Sequence, residues 1–446
     1  MEMQTLTILI SYTFIAFFIF FIILRQDLYF GIFMGGLALY SVPAAWGYYL
    51  YPEMSQVVWR MYFGVEPLNF AIIFSGLSMV STYICFRYIY TRIVRSEISL
   101  GFKNRSTSLF LLLTLIYFCT FLIFYFFFYD KLSYHNASDE YFLHHEGYLY
   151  KSFSLYYKFT TFFLLILYAV FRNGVLKNKL KQLFLSIVFI SILSVYLVIS
   201  IEIGSRTDPL ALVIGMIGFE AYKNAIKNSV AKIYIQTTGL INFPKLKLKS
   251  WAALIIFLII AFYFLQFIRA LRAEPPSTLD LLNDTPVFAT TLLLNDFIPP
   301  FHVLIGAIAF NYVDFYSAFL SNIANSLMFL KVDYLQTFIV DQWDFGGATR
   351  TASPAMYAFT EGYVALGWAG FLYNGIVWSI GVGLWRKLSR TYDHNFNAIA
   401  MGITLTHAVT SVRSQSSYFI KDLYLFFIPA LFLYSIAAGI RHVRSK

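Results

Sequence analysis

TLTILISYTFIAFFIFFIIL, residues 5–24, decides the fold. These twenty consecutive residues carry no charge, no proline and no glycine. A helix rises about 1.5 Å per residue, so the stretch spans about 30 Å, the thickness of a bilayer's hydrocarbon core. It is apolar on every face, so no orientation in water would hide it. Working outward, the same signature recurs near 28–50, 67–90, 108–129, 153–171, 182–203, 208–222, 251–270, 364–385, 395–411 and 418–440. The chain therefore reads as an all-α polytopic integral membrane protein with about eleven transmembrane helices, residues 1–446 forming a single transmembrane domain. Composition excludes the soluble classes. Only 13% of residues are charged and 59% are hydrophobic, whereas a soluble surface needs about a quarter charged.

Twenty per cent of the chain is aromatic, mostly Phe and Tyr. In a membrane protein such rings first serve lipid contact and anchoring at the headgroup level. Cys85 and Cys119 lie in apolar stretches without metal-ligand or CxxC spacing, and read as packing residues. No basic stretch precedes the first span and no small-residue cleavage site marks it, so it reads as a span and not a removable signal peptide.

The basic residues set the orientation. Arg87, Arg92, Arg95, Lys103 and Arg105 follow the third span, and Arg172, Lys177, Lys179 and Lys181 the fifth. Lys223, Lys227, Lys232, Lys245, Lys247 and Lys249 follow the seventh, Arg386, Lys387 and Arg390 the ninth, and Arg441, Arg444 and Lys446 end the chain. With alternating spans all of these share one side, and with Arg25 that side holds 22 of the 33 Lys and Arg residues. The positive-inside rule makes it cytoplasmic. The N-terminus is then periplasmic and the C-terminus cytoplasmic. Because the basic residues mark membrane sidedness, the net charge of +10 does not point to nucleic acid.

Eleven basic residues defy that bias, six of them Arg: Arg60, Arg206, Arg269, Arg272, Arg350 and Arg413. Arg grips planar oxyanions through a bidentate fork. One long outer connection, 271–356, is too apolar for a plain loop. Its 300–330 portion, broken by Asn311, Asp314, Asn322 and Asn325, reads as interfacial helices on the outer leaflet. A further pair of spans there would keep the orientation, giving eleven to thirteen.

Three outer constellations carry chemistry. In Gly204-Ser205-Arg206-Thr207-Asp208-Pro209, Asp208 suits an N-cap and Pro209 the first helical position. Arg206 then stands beside a helix N-terminus, where free N–H groups also favour an anion; the plain alternative is neutralisation by Glu202 or Asp208. The run Gly346-Gly347-Ala348-Thr349-Arg350-Thr351-Ala352-Ser353-Pro354 repeats that design, and leads to Glu361 near the start of the ninth span. A carboxylate at such a rim is costly unless paired or hydrated, so Glu361 is either a catalytic base or a partner for Arg350 or Arg413. The third is the turn Ser411-Val412-Arg413-Ser414-Gln415-Ser416-Ser417, with His407 just upstream. His407 is a second base candidate, although a lone helical His more often packs and hydrogen-bonds. Asp314 is a third. Arg269 and Arg272 share a helix face; Arg269 and Arg60 read as headgroup anchors, and Arg272 as a further anion ligand. The pair His144-His145 beside Glu146 is a weak metal case, and no HExxH, P-loop or GxSxG occurs, so no metal and no cofactor are expected.

The turn Gly204-Ser205-Arg206, the stretch Ser353-Pro354-Ala355-Met356-Tyr357-Ala358-Phe359-Thr360-Glu361-Gly362-Tyr363 and the following Leu366-Gly367-Trp368-Ala369-Gly370 resemble bacterial O-antigen polymerases of the Wzy type. The layout of about a dozen spans, one long outer loop and outer arginines is similar over the whole chain. An Arg-x10-Gly pattern described for some members is not matched: eleven residues separate Arg206 from Gly218 and Arg350 from Gly362. The resemblance implies a glycosyltransferase of lipopolysaccharide biosynthesis in the bacterial inner membrane. It would polymerise oligosaccharide repeat units carried on undecaprenyl diphosphate, and the family adds a partner that regulates chain length. Arg206, Arg272, Arg350 and Arg413 would hold the departing diphosphate, at about 2–4 kcal/mol per donor in the transition state. Two other functions share the lipid-linked glycan: an O-antigen ligase, which transfers it to lipid A core, and a transporter or flippase. A transporter predicts ionisable residues near the bilayer midplane.

Overall fold

The computed structural model describes residues 2–50, 63–95, 100–102, 107–132, 148–172, 179–203, 207–227, 298–326, 356–389, 394–412, 415–429 and 440–442, with 235, 238, 240, 241 and 432. Helices dominate: α1 (Glu2–Gln26), α2 (Leu28–Leu50) and α3 (Val65–Cys85), the last continuing through a π-helical turn, Phe86–Tyr90, into Thr91–Arg95. Then come α4 (Thr107–Leu132), α5 (Tyr148–Arg172), α6 (Lys179–Ile203) and α7 (Thr207–Lys227). The second half holds α8 (Ile298–Ala309), α9 (Phe315–Ser326), α10 (Thr360–Leu366), α11 (Gly370–Leu388), α12 (His394–Ser411) and α13 (Ser417–Asp422). Two short strands, β1 (Leu100–Phe102) and β2 (Ile440–His442), pair antiparallel.

Among the described residues, five stretches are long and apolar enough to cross a membrane: Met3–Gln26, Leu28–Leu50, Val65–Arg95, Leu183–Ser200 and Thr360–Leu388. α4, α5, α7 and α12 cover four more of the expected spans as helices, while 251–270 lies outside the described residues. α1 shows why the surroundings must be lipid. Leu9, Tyr12, Ala16, Ile19 and Ile23 form its buried stripe, yet the opposite face exposes Phe14, Phe17, Phe18 and Phe21. Apolar on both faces, such a helix is stable only where the solvent is hydrocarbon. This is a helical membrane protein.

α1 and α2 run antiparallel about Asp27, tied by Tyr12 Oη donating to Ser41 Oγ (2.5 Å) and Trp46 Nε1 donating to Thr13 Oγ1 (3.0 Å). α3 packs on α11 through small residues: a Cβ at Gly375 would strike Ser81, and one at Gly383 would press on Tyr90 and Ile93. Close backbone approach of this kind substitutes for the hydrophobic drive that lipid removes. At one end of this core Asn69 Nδ2 donates to Thr5 Oγ1 (3.0 Å) and the Phe63 N–H donates to Tyr48 Oη (2.8 Å). At the other end Asp27 is buried and accepts from Tyr90 Oη, with buried Arg386 within electrostatic reach. The β1–β2 ribbon follows α3 at this second end, so Thr5 and β2 fall at opposite ends of the core.

Two expectations change. The ninth span, expected from 364, is not a straight helix. Gly362 packs backbone-to-backbone on Gly370, and Asn374 Nδ2 donates to Phe359 O (3.0 Å). Residues eight apart in one straight helix would stand about 12 Å apart, so α10 rises and α11 doubles back, turning at Gly367. There φ is +58°, a conformation that glycine adopts without a steric penalty. The expected interfacial helices also divide. α8 is buried from Pro300 to Ile308, packed among α2, α3 and α10, because it has no polar face to turn to headgroups. α9 keeps an exposed apolar face.

Candidate active site

α10 carries Glu361 into the interior, where none of its surface is exposed. Its Oε1 accepts from Asn322 Nδ2 of α9 (2.7 Å), Tyr373 Oη of α11 (2.6 Å) and Ser416 Oγ (2.7 Å), and its Oε2 accepts from the Ser416 backbone N–H (2.7 Å). The carboxyl is thus a fourfold acceptor, the bonding pattern of its ionised form. Burying a charge costs several kcal/mol. Hydrogen bonds to a charged group return about 1.5–3 kcal/mol each, so four of them offset that cost without any cation. No ion pair of Glu361 is found among the described residues.

Depth follows from the helices. Tyr373 stands thirteen residues above Arg386 on α11, about 20 Å at 1.5 Å per residue. Asn374 Nδ2 donates to Ser78 Oγ (3.1 Å), and Ser78 lies twelve residues from Tyr90 on one side and thirteen from Val65 on the other. The Glu361 level is therefore roughly midway along the core rather than at its rim.

The short segment before α10 is fixed in the same place. The Tyr357 N–H donates to Pro300 O (3.2 Å), Tyr357 Oη to Leu37 O (3.3 Å), and the Ala358 N–H to Val412 O (3.0 Å). Gln415 Nε2 donates to Ser321 Oγ (3.0 Å). So the described flanks of two arginine-bearing runs, Met356–Phe359 after Arg350 and Val412 with Gln415–Ser417 around Arg413, meet at Glu361.

No family model matches the chain, and no curated protein or solved structure matches it either. The site has to be read from its own geometry.

Arg206, Arg272, Arg350 and Arg413 lie outside the described residues. His407 is buried, but elsewhere. Its ring stacks on Trp385 (centroids 4.0 Å, 15° between planes) and Nδ1 lies 3.0 Å from Asp422 Oδ2. Trp385 is twelve residues below Tyr373, about 18 Å along α11, and no contact joins His407 to Glu361 among the described residues. The two base candidates are not one pair.

Asp314, the third, caps α9: its Oδ1 accepts the Ser317 N–H (2.9 Å) and its Oδ2 the Ser317 hydroxyl (2.5 Å). That is an N-cap arrangement, and the Ser317 bonds hold the Asp314 carboxyl below the usual carboxylate range. Its backbone N–H donates to Val364 O (2.8 Å), tying α9 to α10.

Sequence reasoning missed Asn322, Tyr373 and Ser416 as partners of Glu361. Asn322 was legible as a polar break in an apolar run, and Ser416 as part of a serine-rich turn. Tyr373 had no signal apart from the folded hairpin. Among the described residues no group of three or more His, Cys, Asp or Glu is placed to hold a metal ion.

Proposed function

We propose that this chain polymerises oligosaccharide repeat units carried on undecaprenyl diphosphate, acting from the periplasmic side of a bacterial inner membrane. One observation carries the reading: a buried carboxylate held by neutral donors among the described residues, at the meeting point of the segments that flank Arg350 and Arg413. A sugar hydroxyl of one lipid-linked unit attacks the anomeric carbon of another. The bond from that carbon to the diphosphate breaks, its electrons leave with the diphosphate, and the hydroxyl proton passes to Glu361. Arg206, Arg272, Arg350 and Arg413 neutralise the departing charge, so the proposal needs neither metal nor cofactor. His407 is retained only as a packing residue.

The proposed orientation puts the N-terminus in the periplasm and the C-terminus in the cytoplasm, across about eleven spans with 271–356 as the long outer loop. Its support is the basic-residue bias, with the Thr5 and β2 ends lying apart. Besides the glycan donor and acceptor, the partners in this reading are membrane lipids and a chain-length regulator. A ligase acting on lipid A core would use the same groups with another acceptor. Transport of the lipid-linked glycan is favoured by one feature, a carboxylate at mid-depth beside a broken helix.

Purified protein incubated with lipid-linked repeat units and no added metal separates the three. A ladder of products supports polymerisation, a single transfer to a core acceptor supports the ligase, and movement without product supports transport. Arg206→Ala, Arg350→Ala and Arg413→Ala are each expected to abolish long chains while the protein still accumulates, and Lys at these positions to restore only part. Wild-type chain lengths in all three Ala variants would remove the diphosphate site.

A further inference from the structure

Glu361 is sealed in the structure described, so whatever reaches it must first displace something. α10, the start of α11 and Val412 are bound into the core through backbone contacts, Gly362 on Gly370 and Ala358 on Val412. α9 is held differently. Among the described residues side chains attach it, Asn322 to Glu361 and Ser321 to Gln415, with a backbone bond from Asp314 at its base.

The faces of α9 are arranged inside out. Phe315, Tyr316, Phe319, Leu320 and Ile323 are exposed, at the i, i+1, i+4, i+5, i+8 spacing of one helical face. Ala318 and Ser321 are buried, and Asn322 points its amide at Glu361. Among the described residues, the 12-residue α9 therefore stands between the carboxylate and an exposed apolar face. The chain enters α9 through Asn311, whose φ of +47° is left-handed. Asn tolerates that conformation better than most residues. Two more buried hydroxyls, those of Thr360 and Ser417, adjoin Glu361 and Ser416 in sequence and have no hydrogen-bond partner among the described residues. Unsatisfied buried hydroxyls are costly, and a polar group arriving beside Glu361 would satisfy them.

We propose that α9 is a lateral gate. It swings away from α10 about the 310–314 connection and admits the polar head of a membrane lipid from the bilayer to Glu361. In the closed state the Asn322 amide stands where a hydroxyl of that head donates in the open one. That the head is a lipid-linked glycan rests on the function proposed above; the gate itself does not.

Dicyclohexylcarbodiimide, which modifies carboxyls in apolar surroundings, tests this in the full-length protein in detergent, with mass spectrometry locating the adducts. Asn322→Ala removes the clasp and Ser317→Ala loosens the cap of α9 without touching Glu361. Labelling of Glu361 is expected to quicken about ten- to a hundredfold in Asn322→Ala, the factor for one hydrogen bond to a charged group. It should quicken less, in the same direction, in Ser317→Ala. Asp27, buried at the far end, should label as in the wild type. Unchanged labelling of Glu361 in both variants overturns the gate, and so does a parallel rise at Asp27, since the whole bundle would then have loosened. The labelling needs no substrate. Lipid-linked units that give no glycan product would therefore overturn the polymerase reading while leaving this result to stand.

Discussion

Two buried carboxylates sit about 20 Å apart along the same core, and their surroundings differ in kind. Asp27, at the junction of α1 and α2, has the buried Arg386 within electrostatic reach, accepts from Tyr90, and adjoins Leu28, whose N–H donates to Ile241 O (2.6 Å). It joins four segments of chain, with a cation within electrostatic reach. Glu361 accepts from four neutral donors, and no cation pairs with it among the described residues. A charge matched by a buried partner is committed to structure, because removing either half strands the other. A charge held by neutral donors leaves its field uncompensated and its oxygens exchangeable, since one hydroxyl can replace another at small cost. The π-helical turn at Phe86–Tyr90 belongs to the first kind of site, bringing Tyr90 onto Asp27.

That contrast breaks most sharply at Asp27. Asp27→Ala removes the acceptor of Tyr90 Oη and the Ile241 N–H and the buried negative charge nearest Arg386, leaving those buried donors unpaired at about 1–3 kcal/mol each, seen as a large fall in thermal stability in detergent or failure to accumulate. Adding Arg386→Met should return part of the loss. A single variant as stable as the wild type would show that the pair does not hold this end.

Tyr373→Phe should act in the opposite sense, on activity more than on stability. It deletes one donor to Glu361, worth about 1.5–3 kcal/mol, so polymerisation should slow about ten- to a hundredfold, while melting changes little. An unchanged rate, or a loss of rate matched by a loss of thermal stability, would make Tyr373 a packing residue only.

The smallest effect belongs to α9. Asp314→Ala removes an N-cap worth about 1 kcal/mol. Because the folded carboxyl lies below its ordinary value, the contribution is present above about pH 4 and is lost as pH falls through the folded value. The wild type and the variant should therefore converge in stability in acid and separate at neutral pH. A constant difference would mean that the carboxylate is not what caps α9.

The five stretches shown long enough to cross were legible because hydropathy over twenty residues is a local property. Residues 5–24 announce α1 whatever they pack against. The α10–α11 hairpin was not legible. Residues 364–385 carry no charge and read as one apolar span, and the reversal at Gly367 depends on contact between Gly362 and Gly370, which the sequence separates by eight positions. α8 misled for a related reason. An apolar run with polar breaks on either side suits an interface, and only its packing against α2 and α3 shows that it is interior. Glu361 could be found because an acid in apolar sequence demands an explanation. Its donors come from residues 322, 373 and 416, and such distant partners meet only in the folded chain. Asp27 escaped notice because an acid between two spans reads as an ordinary turn residue until Arg386 is seen beside it.

The central claim concerns Glu361, and the initial rate of glycan transfer tests it most directly. Wild type and Glu361→Gln are compared after purification, at equal protein, on undecaprenyl diphosphate-linked repeat units. A base contributes roughly a hundredfold or more, so the Gln variant should make product at least about a hundredfold more slowly, while accumulating in the membrane. Equal rates would contradict the assignment of Glu361 as the base.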